Sequence, residues 1–238
     1  MTKTLLPIVC VSVLLICCGG VLFYMHASPR FEISRLGIHG LSRLTPETIV
    51  KHLDIQAHTN IFQVRLNEIQ RKLEEMTWVK EARVFRSFPR KLSIRLTERV
   101  PFALVKLGEL YLVDRDGVIL GSLASGSEIR LPIVTGSFIQ NVDQDTENTT
   151  LKEVLQALAA LMQSSYAFSH PIRKMRIDGL ENVTLIHDGE FPDIYLSLQN
   201  YAESFQRLER IYPKLKPETL TAIDLRFDKR VILTPKIT

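Results

Sequence analysis

Six histidines and one acidic segment are the first places in this chain where metal or acid–base chemistry could be sought. The histidines lie far apart except for His52 and His58, and the spacing of that pair fits no common zinc pattern. The acids of residues 143–147 resemble the start of a calcium-binding loop, but Asn148 stands where such a loop requires glycine. We therefore predict no metal site, no cofactor and no catalytic residues.

Sequence motifs and cysteines give no support for an enzyme either. The chain contains no G-x-S-x-G nucleophile elbow, P-loop, dinucleotide fingerprint or H-E-x-x-H helix. Its three cysteines, Cys10, Cys17 and Cys18, all precede Gly19, so the rest of the chain forms no disulfide and offers no thiolate nucleophile. A membrane-anchored envelope enzyme is an open alternative, although the sequence displays no convergent set of catalytic groups.

The charge pattern is typical of a soluble surface without a nucleic-acid site. The 238 residues include 30 basic and 26 acidic side chains, which are interspersed and give a formal net charge of +4. A nucleic-acid-binding surface would cluster its lysines and arginines on one face. We therefore expect no nucleic-acid partner. The length suffices for one membrane anchor and one or two small domains.

Residues 5–24 form an uncharged apolar run. At helical rise this run spans about 30 Å, which is the thickness of a hydrocarbon core. A cleaved signal peptide is the rival interpretation, but the run is longer than a usual signal core, and Met25 stands where a small residue should precede Ala27. We interpret the run as a retained transmembrane helix after a short tail, residues 1–4. The flanking charges leave its topology open.

The clearest strand pattern belongs to a hairpin in the first soluble part of the chain. Leu92, Ile94 and Leu96 alternate with polar residues, as expected for a strand with one buried face. Residues 79–85 are β-compatible, and a proline-containing turn at residues 87–90 joins the two segments. These patterns predict an antiparallel hairpin.

A further strand and two helices are predicted before the hairpin. Apolar residues over 31–40 predict the strand, and Thr45 followed by proline and glutamate predicts the start of a short helix. Apolar residues recur at helical spacing over 66–76, with charged residues on the opposite side. The predicted order is strand, helix, helix, strand, strand, which makes an α+β unit of residues 30–100.

Residues 101–238 are predicted to form a second domain, mixed and β-rich with two helices. The Asp116-Gly117 pair is a strong turn signal between two short strands. Helical periodicity covers about residues 150–167 and again about residues 200–213. The last strands are predicted at residues 223–227 and 231–233.

The types and spacing of these residues resemble two domains of the FtsQ family of bacterial cell-division proteins, the FtsQ-type POTRA domain and the FtsQ β domain. The resemblance covers the anchor and nearly all of the soluble chain. In the first domain the matching residues are Asn60-Ile61-Phe62, Trp78-Val79, Phe88-Pro89 and Thr97-Glu98-Arg99 with Pro101. In the second they are Leu112-Val113-Asp114, Asp116-Gly117, Leu131-Pro132 and Ile223-Asp224-Leu225-Arg226-Phe227.

This resemblance implies a non-enzymatic bitopic protein of cell division. Residues 5–24 would cross the cytoplasmic (inner) membrane, with a cytoplasmic tail at residues 1–4 and the C-terminal domains outside the cytoplasm, enriched at the division septum. The protein would recruit and link components of the divisome by binding the division proteins FtsB and FtsL. Another POTRA-bearing envelope assembly or secretion factor is the alternative, although such a protein would need a barrel of many strands.

The resemblance also implies that partners bind by strand addition at an edge formed by residues 223–233. Phe227 is expected to act as an apolar anchor and Arg226 to pair with an acidic residue of the partner. In the alternative, strand alternation buries Phe227 with Leu225 in the core and leaves Arg226 solvated. The implied partner-binding residues are Ile223, Leu225, Arg226, Phe227, Asp228 and Val231.

Most of the matching residues in the first domain are expected to be structural. Trp78 is expected to be a core anchor at the end of a sheet, because its large ring buries much apolar area. Glu98 and Arg99 are expected to pair or to cap the junction between the two domains rather than to perform acid–base chemistry.

Overall fold

The structure, a computed structural model, describes residues 5–55, 58–124, 129–136, 149–163, 170–179 and 181–236. The acidic segment of residues 143–147, which resembles the start of a calcium-binding loop, and the tail at residues 1–4 lie outside these ranges. The chain divides into two compact units, Met1–Arg99 and Val100–Thr238.

The first unit begins with helix α1, Leu5–Ala27. Within the described residues it is the one helix that is long and apolar enough to cross a membrane. Its described side chains from Cys10 to Tyr24 are exposed. An uncharged helix with exposed apolar side chains on every side is stable in a hydrocarbon environment and costly in water.

The rest of the first unit is a three-stranded sheet with two helices, in the predicted order of strand, helix, helix, strand, strand. The sheet order is β1-β3-β2, in which β1 is parallel to β3 and β3 is antiparallel to β2. The α+β fold class predicted from the sequence is therefore confirmed. The elements are β1 Arg35–His39, α2 Pro46–Leu53, α3 Leu66–Glu74, β2 Val79–Ser87 and β3 Lys91–Glu98.

The core of this unit follows from the predicted patterns. Leu92, Ile94 and Leu96 of β3 are buried against apolar residues of α2 and α3. The α2 N-terminus is capped as expected, because the Thr45 hydroxyl accepts a hydrogen bond from the backbone N–H of Thr48 at 3.3 Å.

Two boundaries in this unit differ from the prediction. Residues 31–33 were expected in the first strand, but β1 begins at Arg35, and Pro29–Phe31 forms a 3₁₀ turn instead. Proline fixes φ near the helical value, which favours this turn directly after α1. The second predicted helix ends at Glu74, and Met76 packs on the core from beyond the helix end.

In its described residues, the second unit contains a nine-stranded mixed sheet and two α-helices. The strand order is β12-β11-β10-β9-β8-β7-β4-β5-β6. The helices are α4 Thr149–Met162 and α5 Tyr201–Ile211. The strands are β4 Ala103–Leu107, β5 Glu109–Val113, β6 Ile119–Ser122, β7 Ile133–Gly136, β8 Ile172–Asp178, β9 Asn182–His187, β10 Asp193–Ser197, β11 Leu220–Asp224 and β12 Ile232–Pro235.

Both helices of this unit share one apolar core with the strands. Leu151, Leu155 and Leu158 of α4 are fully buried, and Phe205 and Leu208 of α5 belong to the same cluster. The predicted length of the first helix is tested only in part, because residues 164–169 lie outside the described ranges. The mixed, β-rich architecture agrees with the prediction, and the two described helices begin close to the predicted positions.

The last two strands lie elsewhere than predicted. β11 ends at Asp224 instead of continuing to residue 227. The chain turns there because the Asp224 carboxylate accepts a hydrogen bond from the backbone N–H of Arg226 at 3.0 Å. Lys229, with φ of 61°, lies farther along the same loop. β12 consequently starts at Ile232 and extends to Pro235.

Candidate functional site

Strand β12 forms one end of the nine-stranded sheet. In the described part of the chain it pairs on one side, with β11, in antiparallel register. All four of its residues are exposed, including Ile232 at 46% and Leu233 at 41%. We call β12 together with the preceding loop, residues 225–231, the C-terminal edge. An exposed edge strand with apolar side chains is a template for pairing with another chain.

The direction of the main-chain groups on β12 follows from one hydrogen bond. The N–H of Leu225 donates to the carbonyl of Tyr195 on β10 at 2.7 Å. Because main-chain groups alternate in direction along a strand, Asp224 then presents its groups to β12. Ile232 pairs with Asp224, so its groups point back to β11. Leu233 therefore presents its N–H and C=O to the open side.

The predicted partner-binding residues fall into two groups. The side chains of Ile223 and Leu225 are fully buried in the core of the unit. Phe227 is 48% exposed, because β11 ends three residues earlier and strand alternation no longer determines its direction. In the loop, Arg226 and Asp228 are exposed and Val231 is half-buried.

Arg226 is held by its own chain. Its guanidinium donates to both carboxylate oxygens of Asp224, with an Nη2–Oδ2 distance of 2.6 Å and an Nε–Oδ1 distance of 3.0 Å. The guanidinium carbon lies 5.4 Å from the ring centroid of Tyr195. Burial raises the pKa of Asp224, but the hydrogen bonds and charge of Arg226 outweigh that effect, so the pKa lies below its usual value. Arg226 is thus a fixed part of the loop as well as a surface cation.

Helix α5 fixes the base of this loop from the other side. The carbonyl of Leu225 accepts hydrogen bonds from the Ser204 hydroxyl at 3.2 Å and from Arg207 Nη2 at 2.9 Å. Ser204 is fully buried, so this contact is shielded from water. The contacts of Ser204 and Arg207 with Leu225 could not be predicted from the sequence, because the residues are about 20 positions apart and belong to no recognisable motif. They preorganise the C-terminal edge.

Two of the six histidines come together in the second unit. The rings of His170 and His187 both pack against Phe191, with ring-centroid distances of 4.2 and 5.1 Å, respectively. Burial, together with the nearby charge of His170, lowers the pKa of His187 to about 4. Within the ranges that the structure describes, no three His, Cys, Asp or Glu side chains are grouped to hold a metal ion. The ring contacts make the two histidines part of an aromatic cluster.

Glu98 lies at the end of β3 in the first unit. Its two carboxylate oxygens accept hydrogen bonds from the backbone N–H groups of residues 42–44, at 2.9, 2.8 and 3.0 Å. The Arg43 guanidinium lies 4.1 Å from the ring centroid of Trp78, which is half-buried. The described hydrogen bonds of Glu98 all lie inside the first unit, and its expected role at the junction between the domains stays a prediction. Glu98 fixes the loop between β1 and α2.

Comparison with known proteins identifies the family to which both units belong. Residues 31–99 match the family model "POTRA domain, FtsQ-type", and residues 103–226 match "Cell division protein FtsQ/DivIB, C-terminal". The Cell division protein FtsQ of Syntrophotalea carbinolica is 28% identical over 214 residues, which are 88% of this chain and 76% of that protein. The Cell division protein FtsQ of Geotalea daltonii is 26% identical over 222 residues, or 91% and 81% of the two chains. The chain belongs to the FtsQ family of cell division proteins.

Proposed function

We propose that this protein is a non-enzymatic membrane-anchored scaffold that recruits FtsB and FtsL to the division septum. Residues 5–24 would cross the inner membrane and leave residues 1–4 in the cytoplasm. The POTRA domain, residues 30–100, and the β domain, residues 101–238, would lie outside the cytoplasm. The observation that carries the proposal is the exposed edge strand β12 at the end of a long sheet.

Strand addition at β12 would use a short ladder. Leu233 offers both an N–H and a C=O to an incoming strand, whereas Pro235 offers only a C=O because proline lacks an amide proton. So few main-chain hydrogen bonds give modest affinity. Side chains next to the strand must therefore supply a large part of the binding free energy.

Phe227 is the strongest candidate for that contribution. It lies in the loop that precedes β12, and it is an exposed aromatic residue on a segment fixed by Asp224 and by α5. Aromatic anchors on preorganised segments lose little conformational entropy on binding. Arg226 is a less clean probe of the same site, since reversing its charge would also place a second carboxylate beside Asp224.

We expect Phe227→Ala to weaken binding of FtsB about 5- to 30-fold, which is the usual range for the loss of an aromatic anchor. The matched control is Phe85→Ala, because Phe85 is also an exposed phenylalanine but lies on β2 of the POTRA domain. Interferometry with the full-length protein in nanodiscs measures both affinities. Equal affinities of the two variants would remove Phe227 from the site.

Localisation and depletion test the function as a whole. A fluorescent fusion is expected to concentrate at the septum, and depletion of the protein is expected to make cells filament, because late division components would no longer be recruited. Accessibility of a C-terminal tag from outside the cytoplasm tests the topology. A uniform membrane signal in dividing cells, or depleted cells of normal length, would contradict the proposal.

A further inference from the structure

An aromatic cluster lies at the end of the POTRA domain next to α1, away from the C-terminal edge in the sequence. It consists of Phe31, Phe62 and Phe88. The ring centroid of Phe62 lies 5.2 Å from that of Phe31 and 5.3 Å from that of Phe88. Phe88, at the turn between β2 and β3, is 60% exposed. Exposure of so large an apolar ring to water is unfavourable, so contact with an apolar partner would stabilise the cluster.

The cluster is attached directly to the end of α1. The ring centroid of Phe62 lies 6.0 Å from that of His26, in the last turn of the helix. The Asn60 side-chain amide donates to the carbonyls of Met25 and His26 at 3.0 and 2.9 Å. The last carbonyls of a helix have no partner within it, and Asn60, which is 6% exposed, satisfies two of them. Asn60 thereby fixes the POTRA domain to the helix end.

The position of the membrane surface follows from the length of the apolar run. Residues 5–24 fill a hydrocarbon core of about 30 Å, which places residues 25–27 at the level of the lipid headgroups. Phe62 contacts the helix at that level, and Phe88 stacks on Phe62. Amphipathic and aromatic groups are stable at this depth, where apolar surface is partly removed from water.

The charges beside the cluster suit an anionic lipid surface. Arg30 directly precedes Phe31, and Arg90 follows Phe88 by two residues, and both side chains are exposed. Glu32 is the neighbouring acid, and its Oε2 lies 2.8 Å from His58 Nδ1. Basic residues at the membrane surface are attracted to anionic headgroups.

We propose that Phe88 and the cluster behind it insert into the headgroup region of the bilayer that α1 crosses. The POTRA domain would then rest on the membrane surface, held by Asn60 at the helix and by Phe88 at the lipid. This inference rests on the membrane anchorage in the proposed function, and the partner is the lipid bilayer itself.

The test uses the full-length protein with Cys10, Cys17 and Cys18 replaced by serine and one new cysteine, Phe88→Cys, labelled with the fluorophore NBD. The protein is placed in vesicles of phosphatidylethanolamine and phosphatidylglycerol at about 3:1, with or without spin-labelled lipid. The matched control is Val50→Cys, because Val50 is an exposed apolar residue of α2 in the same domain. Insertion to the headgroup boundary should make quenching at residue 88 at least about threefold stronger than at residue 50.

Equal quenching at residues 88 and 50 would overturn the proposal. Failure of the protein to float with the vesicles would instead contradict the membrane span on which the proposed function depends, so the two failures are distinguishable. In the Phe88→Cys background, Asn60→Ala should move the quenching at residue 88 toward the value at residue 50. Unchanged quenching in that variant would contradict the role of Asn60, and circular dichroism checks that each variant is folded.

Discussion

Replacing Leu233 with proline is expected to raise the Kd for FtsB at least about 30-fold, which corresponds to about 2 kcal/mol. Proline removes the one amide proton of β12 that points to the open side, and its ring occupies the space of the incoming strand. The hydrogen bonds to β11 are kept, because Ile232 and Thr234 are the residues that face β11. The free energy of unfolding should therefore change little, as is usual for proline on the solvent side of an edge strand. Interferometry and urea unfolding of the full-length protein measure the two quantities.

Two neighbouring variants separate the main chain from the side chain. Leu233→Ala keeps the outward N–H and removes most of the exposed apolar surface, so it should weaken binding less than proline does. Thr234→Pro removes an N–H that faces β11 and should therefore lower stability as well as affinity. If Leu233→Pro binds FtsB as tightly as the unchanged protein, β12 is not the edge to which the partner adds.

The strands that the sequence predicts best are those with one buried face. In β3, Leu92, Ile94 and Leu96 are buried, as their alternation predicts. β4 was not predicted, because Ala103, Leu104 and Val105 are all buried and the strand therefore shows no alternation of apolar and polar residues. β8 was not predicted either, because a bulge between residues 172 and 174 shifts the register and interrupts the two-residue period of apolar side chains.

The candidate site could be predicted only in part, because its geometry depends on contacts that have no local pattern. The resemblance to the FtsQ family implies partner binding near the end of the second domain, but it does not reveal that β11 ends where the side chain of Asp224 accepts a hydrogen bond from Arg226. That β12 is the edge follows from the order of nine strands, which no segment of the sequence encodes by itself. Phe227 is exposed because β11 ends at Asp224 and because the following strand, β12, forms the edge of the sheet.

Glu98 shows the same limit in the POTRA domain, since its hydrogen-bond partners lie more than 50 residues away in the sequence. Glu98→Gln is expected to lower the free energy of unfolding of this domain by about 2 kcal/mol, because an amide oxygen replaces a carboxylate that accepts three backbone hydrogen bonds. Trp78 is the only tryptophan of the chain and lies under Arg43 in this domain. Urea unfolding followed by tryptophan fluorescence therefore reports on the POTRA domain selectively.

The pH dependence of the stability difference distinguishes the effect of the carboxylate charge from the effect of the side-chain shape. Burial raises the pKa of Glu98, but the backbone hydrogen bonds and Arg43 outweigh that effect and hold the pKa below its usual value. Stabilisation by the ionised group is therefore fully present above the unfolded-state pKa of about 4.3 and is lost as the pH falls through the lower folded-state value. The stability difference between the unchanged protein and Glu98→Gln should consequently be largest near neutral pH and shrink in acid.

The control is Glu75→Gln, a change at an exposed glutamate in the same domain, which should alter the stability very little at either pH. A difference for Glu98→Gln that stays constant from pH 7 to about pH 3 would mean that the carboxylate charge does not hold the loop.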